Sequence, residues 1–335
     1  MKAMVIRGHG DIDDITFEKA WPDPKAGAGE VVLRVRACTL NYHDLFTLRG
    51  MPGIKVPMPL IMGIDVAGEI VEIGAGVEGW GIGDRVLVDP INRKEGKLLG
   101  EVEDGGLAEY VKVAAHQMIR LPDGVSYEAA AALPVAYGTA YRMMVTRGQI
   151  KAGETVFILG ASGGVGTCCV QLAKLAGAHV IVAASSQEKL DRLAALGAEH
   201  GVNYVEHDFM REIVGKYGKP RFWGESGGVD VVVNFTGGDT WVPSLRCIKR
   251  GGRLLTCGAT AGYDPKEDIR FIWTFELDIV GSNGWNREDL HALLDLVKKG
   301  ALTPVVDKVV PLEETREAFR MVSERRVFGK VAIAP

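Results

Sequence analysis

The stretch at residues 156–178, VFILGASGGVGTCCVQLAKLAGA, decides the fold of this chain. An apolar, strand-like run leads into a glycine-rich turn, and an amphipathic helical pattern follows. Glycines let the backbone turn sharply and approach a pyrophosphate, while the N–H groups that open a helix supply partial positive charge. The turn therefore predicts a dinucleotide site formed by Gly160, Ala161, Ser162, Gly163, Gly164, Val165 and Gly166. Its pattern is A-x-G-G-x-G, which departs from G-x-G-x-x-G at Ala161.

The predicted secondary structure differs before and after residue 123. Before it, strand-like runs at 30–37, 66–74, 84–88 and 107–113 alternate with turns and predict a mostly β domain with a barrel-like core. A helical pattern covers 126–145, with Ser126 as its N-cap. Strand candidates at 155–160, 179–184, 201–204, 229–237, 252–258 and 277–284 then alternate with helical segments. This alternation predicts a parallel sheet of the doubly wound α/β class. The last strand candidate, GKVAIA, is compatible with either domain.

Composition narrows the functional classes. A length of 335 residues favours two domains, and a net charge of −4 without any basic run argues against nucleic-acid and membrane partners. We expect neither a signal peptide in MKAMVIRGHG nor a transmembrane helix. Five cysteines without a C-x-x-C predict reduced thiols in a cytoplasmic protein.

The end of the second strand of the βαβ unit bears on the choice of cofactor. A carboxylate there would bind the adenosine 2′-hydroxyl and repel a 2′-phosphate. This chain has Ser185 and Ser186 at that place, with Lys189 and Arg192 just beyond, and its first carboxylate, Glu188, falls in the next helical turn. The pattern favours NADP(H) over NAD(H). The alternative is that Ser185 only caps a helix that carries Lys189 on its solvated face.

A second polar stretch, CTLNYHDLFTLRG at 38–50, raises the question of a metal site, an acid–base site or a plain polar loop. Cys38, His43 and Asp44 are the residues that pose it. The residues themselves leave these three alternatives open.

Motifs along essentially the whole chain resemble the medium-chain dehydrogenase/reductase superfamily. They are GEVVLRVRACTLNYHD, GIDVAGEIVEIGAGVEGWGIGDRV, GGLAEYVKV, AAALPVAYGTAY, LGASGGVG, AKLAGAHVIVAASSQEKLDRLAALGAEHGVNY and GKVAIA. The resemblance implies a GroES-like catalytic domain at 1–133 and 286–335, a Rossmann domain at 134–285, and an active site in the cleft. Short-chain dehydrogenases are disfavoured because no Tyr here has a Lys four residues later.

The resemblance also implies that no zinc binds. The positions of the three catalytic zinc ligands of alcohol dehydrogenases hold Asn41, Ile64 and Val135 here, and these side chains do not form a zinc site. The lobe that binds structural zinc is replaced by the short segment 92–104. Cys38 is then expected to be a core thiol, and Asp44 and Asp65 are expected to bond loop amides.

What remains resembles the zinc-free quinone oxidoreductase and enoyl reductase branch. Members of that branch transfer hydride from NADPH to the β-carbon of a conjugated carbonyl, and the resulting enolate needs hydrogen-bond donors and a proton. We expect His43 in this role, then Tyr42, with Asn41 as a further donor. The alternative is that Tyr42 and His43 are ordinary loop or cofactor-packing residues.

Several further cofactor contacts are implied by the resemblance. Thr139 corresponds to a residue against the nicotinamide, Tyr204 to an aromatic that flanks the adenosine phosphate, and Lys330 to a basic residue near the pyrophosphate. Gly258, Ala259, Ser282 and Asn283 follow strands at the carboxyl edge of the sheet, where ligands bind.

The sequence thus predicts a zinc-free NADPH-dependent reductase of quinones, enones or enoyl thioesters. An alcohol or aldehyde dehydrogenase without zinc and a non-enzymatic NADPH-binding protein are the alternatives. The resemblance also implies a homodimer formed through the sheet edge near LDIVGSNG.

Overall fold

The computed structural model describes all 335 residues. Its strands are β1 (Ala3–Ile6), β2 (Thr16–Glu18), β3 (Glu30–Thr39), β4 (Leu60–Ile61), β5 (Asp65–Ile73), β6 (Arg85–Val88), β7 (Ile91–Asn92), β8 (Lys97–Leu98), β9 (Tyr110–Ala114), β10 (Met118–Arg120), β11 (Thr155–Ile158), β12 (His179–Ala184), β13 (His200–Asn203), β14 (Val229–Val233), β15 (Ile248–Thr256), β16 (Asp278–Gly281), β17 (Val306–Pro311) and β18 (Lys330–Ala334). Its α-helices are α1 (Tyr42–Arg49), α2 (Tyr127–Ala131), α3 (Thr139–Tyr141), α4 (Gly164–Leu175), α5 (Gln187–Leu196), α6 (Phe209–Tyr217), α7 (Trp241–Leu245), α8 (Arg270–Thr274), α9 (Arg287–Lys298) and α10 (Thr315–Ser323). No helix combines the length and the apolar character that crossing a bilayer requires.

The chain divides into two compact units. The first contains Met1–Ala136 and Leu290–Pro335, and the second contains Tyr137–Asp289. The domain boundaries predicted from the sequence, after residues 133 and 285, fall a few residues before these.

The first unit is built on a mixed sheet. Its strand order is β10-β6-β5-β3-β18-β17, with β9 also paired to β3, and a smaller sheet β2-β1-β4 completes it. Apolar side chains of β3 and β5, such as Leu33, Val66 and Ile70, are fully buried in the core of this unit. The terminal strand β18 pairs antiparallel with β3, so GKVAIA belongs to this unit. These features confirm the GroES-like domain.

The second unit is a six-stranded parallel sheet in the order β13-β12-β11-β14-β15-β16. Its central strands are apolar on both faces: Val156, Phe157 and Ile158 of β11 are all fully buried. This is expected where helices cover both sides of a parallel sheet. The strand order reverses between β11 and β14, which is the arrangement of dinucleotide-binding folds. The Rossmann domain is thereby confirmed.

One local expectation needs correction. The stretch Tyr42–Arg49 is the helix α1 and not a loop. The short segment 92–104 takes part in a hairpin in which β7 pairs with β8. Elsewhere, Ser126 caps α2 as predicted, because its hydroxyl accepts a hydrogen bond from the N–H of Ala129. Two π-helical segments, Leu133–Gly138 and Arg142–Arg147, flank α3.

Candidate active site

Helix α1 begins at a side-chain cap that holds its first turn. Asn41 precedes the helix in an extended conformation, and the Oδ2 atom of Asp44 accepts a hydrogen bond of 2.8 Å from the Asn41 N–H. A carboxylate in the first turn that bonds the backbone of the cap residue is half of a capping box. This arrangement fixes Tyr42 and His43 in the first turn. Both side chains are half-buried, and the Tyr42 hydroxyl makes no hydrogen bond within the structure.

A buried ion pair lies beside the start of α1. The ammonium of Lys330 donates to the Asn41 Oδ1 atom and lies 3.3 Å from the Asp65 Oδ2 atom. The Asn41 amide in turn donates to the same Asp65 oxygen at 2.9 Å. Lys330 is 3% exposed and Asp65 is 0% exposed. We call Lys330, Asn41 and Asp65 the lysine cluster. Both ends of the Asn41 amide are engaged within this cluster.

Asp65 also connects the lysine cluster to the helical segment near residue 135. Its Oδ1 atom accepts a hydrogen bond of 3.0 Å from the N–H of Val135, which lies in the first π-helical segment. Burial raises the pKa of Asp65, although Lys330, Asn41 and the Val135 N–H all act to lower it. Asp65 thus bonds a backbone amide, as expected, but this amide belongs to a helical segment and not to a loop.

The lysine cluster does not fit zinc. Zinc requires three or four nitrogen, sulfur or oxygen ligands in tetrahedral positions. Here Ile64 is fully buried and apolar, the Asn41 amide is engaged at both ends, and Val135 contributes only its backbone N–H. No group of three or more His, Cys, Asp or Glu side chains is placed to hold a metal ion. The positive charge at this place is the ammonium of Lys330.

His43 forms a close pair with a carboxylate that the sequence did not reveal. Its Nε2 atom lies 2.5 Å from the Oε2 atom of Glu101. The Glu101 side chain is 10% exposed, and that of His43 is 31% exposed. Burial alone would lower the pKa of His43, but the hydrogen bond and negative charge of Glu101 outweigh burial and raise it. Smaller contributions from Asp44 and Asp65 act in the same direction.

Asp44 and Cys38, the other two candidates for a metal site in this stretch, are both fully buried. Burial raises the pKa of Asp44 to about 6, and its Oδ1 atom has no hydrogen-bond partner. Cys38 is fully buried, and its burial raises the pKa of the thiol well above the ordinary value. Cys38 is thus a neutral core thiol.

The glycine-rich turn of the second unit fits a pyrophosphate. Gly163 is the residue before α4, and no side chain caps the helix, so the first N–H groups remain open to an anion. A Cβ atom at Gly163 would have only one neighbour, the Gly160 carbonyl oxygen at 3.7 Å, so the space above the turn is open. A Cβ atom at Gly166 would lie 2.4 Å from that oxygen, so only glycine allows the helix to pack on the strand.

Most other predicted cofactor residues lie at the carboxyl edge of the same sheet. Ser185 follows β12, Tyr204 follows β13, Gly258 and Ala259 follow β15, and Ser282 and Asn283 follow β16. Thr139 begins α3, which packs against α4. The helix cap of α5 is Ser186, which accepts a hydrogen bond of 3.3 Å from the Lys189 N–H, and Ser185 is not the cap. The buried Ser282 hydroxyl has no partner. Lys330 belongs to the first unit, where it is part of the lysine cluster.

Comparison with known proteins agrees with this architecture. Residues 27–123 match the family described as "Alcohol dehydrogenase GroES-like domain", and residues 164–299 match "Zinc-binding dehydrogenase". Acryloyl-coenzyme A reductase of Metallosphaera sedula is 33% identical, with 99% of each chain covered. A crystal structure of an NAD-dependent alcohol dehydrogenase is 34% identical with a TM-score of 0.91, and both chains are fully covered.

A solved complex adds a cofactor and a substrate class to the comparison. The 2-octenoyl-CoA carboxylase reductase CinF, solved with NADP and 2-octenoyl-CoA, is 29% identical with a TM-score of 0.86. The alignment covers 99% of this chain and 87% of that one. With the two-unit fold and the glycine-rich turn, these matches identify the chain as a member of the medium-chain dehydrogenase/reductase superfamily and as an enoyl reductase-like oxidoreductase.

Proposed function

We propose that the protein is a zinc-independent, NADP(H)-dependent reductase of conjugated carbonyl compounds, with enoyl thioesters as its substrates. The observation that carries the proposal is the pairing of His43 with Glu101 beside a lysine cluster whose single carboxylate, Asp65, is bonded to Lys330 and Asn41. A saturated carbonyl places full charge on oxygen when it is reduced and benefits from a Lewis acid. An enoyl carbonyl spreads that charge over an enolate, which a hydrogen-bond donor and a proton can stabilise.

The residues divide into two groups by role. Bound NADPH supplies the hydride that adds to the β-carbon of the substrate. The glycine-rich turn and the N-terminus of α4 hold the pyrophosphate, and Ser185, Ser186 and Lys189 take the 2′-phosphate. His43 is the proton donor, and the unpaired Tyr42 hydroxyl binds the cofactor or the enolate oxygen. Asn41 and Lys330 keep the start of α1 in place through Asp65.

The substrate class rests on the relatives. Acryloyl-coenzyme A reductase and the 2-octenoyl-CoA enzyme are both named for enoyl thioesters, which favours these over quinones. Dehydrogenation of an alcohol without zinc is the second candidate, favoured by the likeness to an NAD-dependent alcohol dehydrogenase.

A substrate screen on metal-analysed protein tests the proposal. NADPH and NADH oxidation are followed at 340 nm with crotonyl-CoA, a cyclic enone, a benzoquinone and a saturated aldehyde, and zinc is measured in the same preparation. We expect turnover of crotonyl-CoA with NADPH and a zinc content far below one equivalent. Activity confined to the saturated aldehyde, or one equivalent of zinc that activity requires, would overturn the proposal.

We further propose a cytoplasmic homodimer that joins through β16. This strand lies at the edge of the parallel sheet and pairs only with β15 on its inner side. An open edge is a template for pairing with another strand. Four of the five cysteines are buried and all five are unpaired, which suits a reducing compartment.

A further inference from the structure

The carboxylate of Glu101 comes from the segment that replaces a structural-zinc lobe. In the sequence it is one of several charged residues in NRKEGKLLGEVED, and nothing there distinguishes it. In the structure its side chain is 10% exposed, whereas the carboxylates of Glu95 and Glu103 pair with Lys97 at the surface. Glu101 is therefore the acidic residue of this segment that is buried.

The backbone explains why Glu101 meets His43. Just beyond it, the N–H groups of Gly105, Gly106 and Leu107 donate to carbonyls of residues 61–63 at 2.7–2.9 Å. Gly100 adopts φ +72°, and a Cβ atom there would lie 2.7 Å from the carbonyl carbon of Gly63. This close backbone contact sets Glu101 against the first turn of α1. The pair is thus produced by the fold of the segment and not by a flexible surface side chain.

The charges around His43 all favour a protonated ring. Glu101 faces it from the hairpin segment, Asp44 from its own helix and Asp65 from the neighbouring strand. The one buried cation nearby, Lys330, is already bonded to Asp65 and Asn41. The hydrogen bond to Glu101 and the surrounding negative charges thus both favour the protonated His43 ring.

The hydrogen bond to Glu101 also determines which ring nitrogen is available. Because Nε2 is occupied, Nδ1 is the nitrogen left to donate, and it has no hydrogen-bond partner within the structure. We propose that Glu101 is a positioning residue that holds His43 as the imidazolium, so that the Nδ1–H group protonates the substrate. This inference rests on the proposed reductase function.

Proton transfer from His43 completes the proposed reduction. Once the β-carbon has received hydride, the electron pair of the former C=C bond lies on the enolate. The Nδ1–H bond of His43 breaks, a C–H bond forms at the α-carbon, and the imidazole is left neutral. His43 then regains its proton from the solvent. Each cycle thus consumes one hydride and one proton.

The test compares Glu101→Gln, Glu101→Asp and the matched control Glu95→Gln, which removes a carboxylate of the same segment that pairs with Lys97. The pH dependence of kcat for NADPH-driven crotonyl-CoA reduction is measured from pH 5.5 to 9. The pKa of His43 is measured in parallel by NMR of the ring protons, with His43→Asn identifying its signal. The NMR readout needs neither cofactor nor substrate.

We expect Glu101→Gln to lower both the NMR pKa of His43 and the basic limb of the pH profile by about one pH unit or more. At pH 8 kcat should fall about 10-fold or more, as expected when a general acid loses its proton. Glu101→Asp should restore much of both values, and Glu95→Gln should change neither. An unmoved pKa and an unmoved pH profile in folded Glu101→Gln would overturn the inference alone. Wild-type protein that reduces no conjugated substrate would overturn the proposed function, and the proton step with it.

Discussion

The buried charge of Lys330 determines how the Asp65 and Asn41 side chains are arranged. A lysine that is 3% exposed is rare, and such residues are tolerated when a carboxylate and further hydrogen bonds compensate the charge. Here Asp65 supplies the charge and Asn41 supplies the extra acceptor. From the family resemblance Lys330 was expected near the pyrophosphate. That role stays a proposal, because in the structure all the contacts of the ammonium lie within the lysine cluster.

Removing one partner of this ion pair should be costly, whereas removing both should not. Lys330→Met leaves the Asp65 carboxylate buried without its counter-charge, and we expect a loss of about 3–5 kcal/mol in the free energy of unfolding. The double variant with Asp65→Asn should recover most of this loss, because no buried charge remains. The free energy of unfolding is measured by urea unfolding of the wild type, both single variants and the double variant. Strictly additive losses would contradict the expected coupling.

Asp44 should make stability depend on pH in an unusual direction. Its pKa is raised from 3.8 to about 6, so the folded state binds this proton more tightly than the unfolded state. The stabilisation is complete below pH 3.8 and is lost as the pH rises through about 6. Relative to wild type, Asp44→Asn should therefore gain stability across this window, by up to about 3 kcal/mol.

The matched control for this prediction is Asp14→Asn. Asp14 is exposed, and its carboxylate accepts a hydrogen bond from the backbone N–H of Asp11 in a similar cap. Asp14→Asn therefore removes a capping carboxylate that is not buried. Thermal unfolding of the three proteins from pH 4 to 8 gives the comparison. Parallel curves for Asp44→Asn and wild type would refute the prediction.

At the scale of elements, periodicity predicted long segments and missed short ones. The strand at 179–184 and the strand-like run beginning at residue 30 were located because several apolar residues repeat in them. Helix α1 was missed because eight residues with mixed polarity show no clear period, although Asn41 and Asp44 have the spacing of a helix cap. Glu101 was not identifiable at all, because its contact with His43 spans 58 residues and depends on the hairpin.

A substitution at Gly100 tests the His43–Glu101 pair in a second way, through the backbone contact with Gly63. Gly100→Ala should destabilise the fold by about 1–3 kcal/mol, since it adds a Cβ atom at φ +72° against Gly63. By displacing Glu101 it should also move the basic limb of the activity profile to lower pH.

Gly96→Ala is the matched control in the same hairpin. Gly96 has φ +67°, but a Cβ atom there would meet nothing within 4 Å. It should show a smaller loss of stability and no change in the pH profile. Equal pH profiles for the two alanine variants would argue against a role for the close contact.

At the scale of the whole molecule, the order of the motifs is the strongest predictor of the domain arrangement. The late position of the glycine-rich turn predicts a β-rich unit followed by a parallel α/β unit, and the family resemblance implies the GroES-like and Rossmann domains. The substrate was not predictable, because pocket shape depends on loops such as 51–59 that carry no regular pattern. The assignment of individual cofactor residues rests on their shared sheet edge.

Cofactor preference is the property that tests this assignment. Ser185→Asp places a carboxylate directly after β12, where it should repel a 2′-phosphate. We expect the Kd for NADPH to rise about 10-fold or more, as for a like charge placed against a bound anion, while that for NADH changes little. Gln187→Asp, on the exposed first turn of α5, is the control. Fluorescence titration measures both cofactors, and equal losses for NADPH and NADH would refute a 2′-phosphate site at Ser185.

The lysine cluster also determines how constant the positive charge at this site is. A charge that belongs to a side chain cannot be stripped by a chelator or exchanged for cadmium or copper, and its amount is fixed when the chain is synthesised. An ammonium also has no open coordination position, so it cannot bind and ionise a water molecule as a catalytic zinc does. The positive charge beside Asn41 and Asp65 is therefore encoded by the sequence itself.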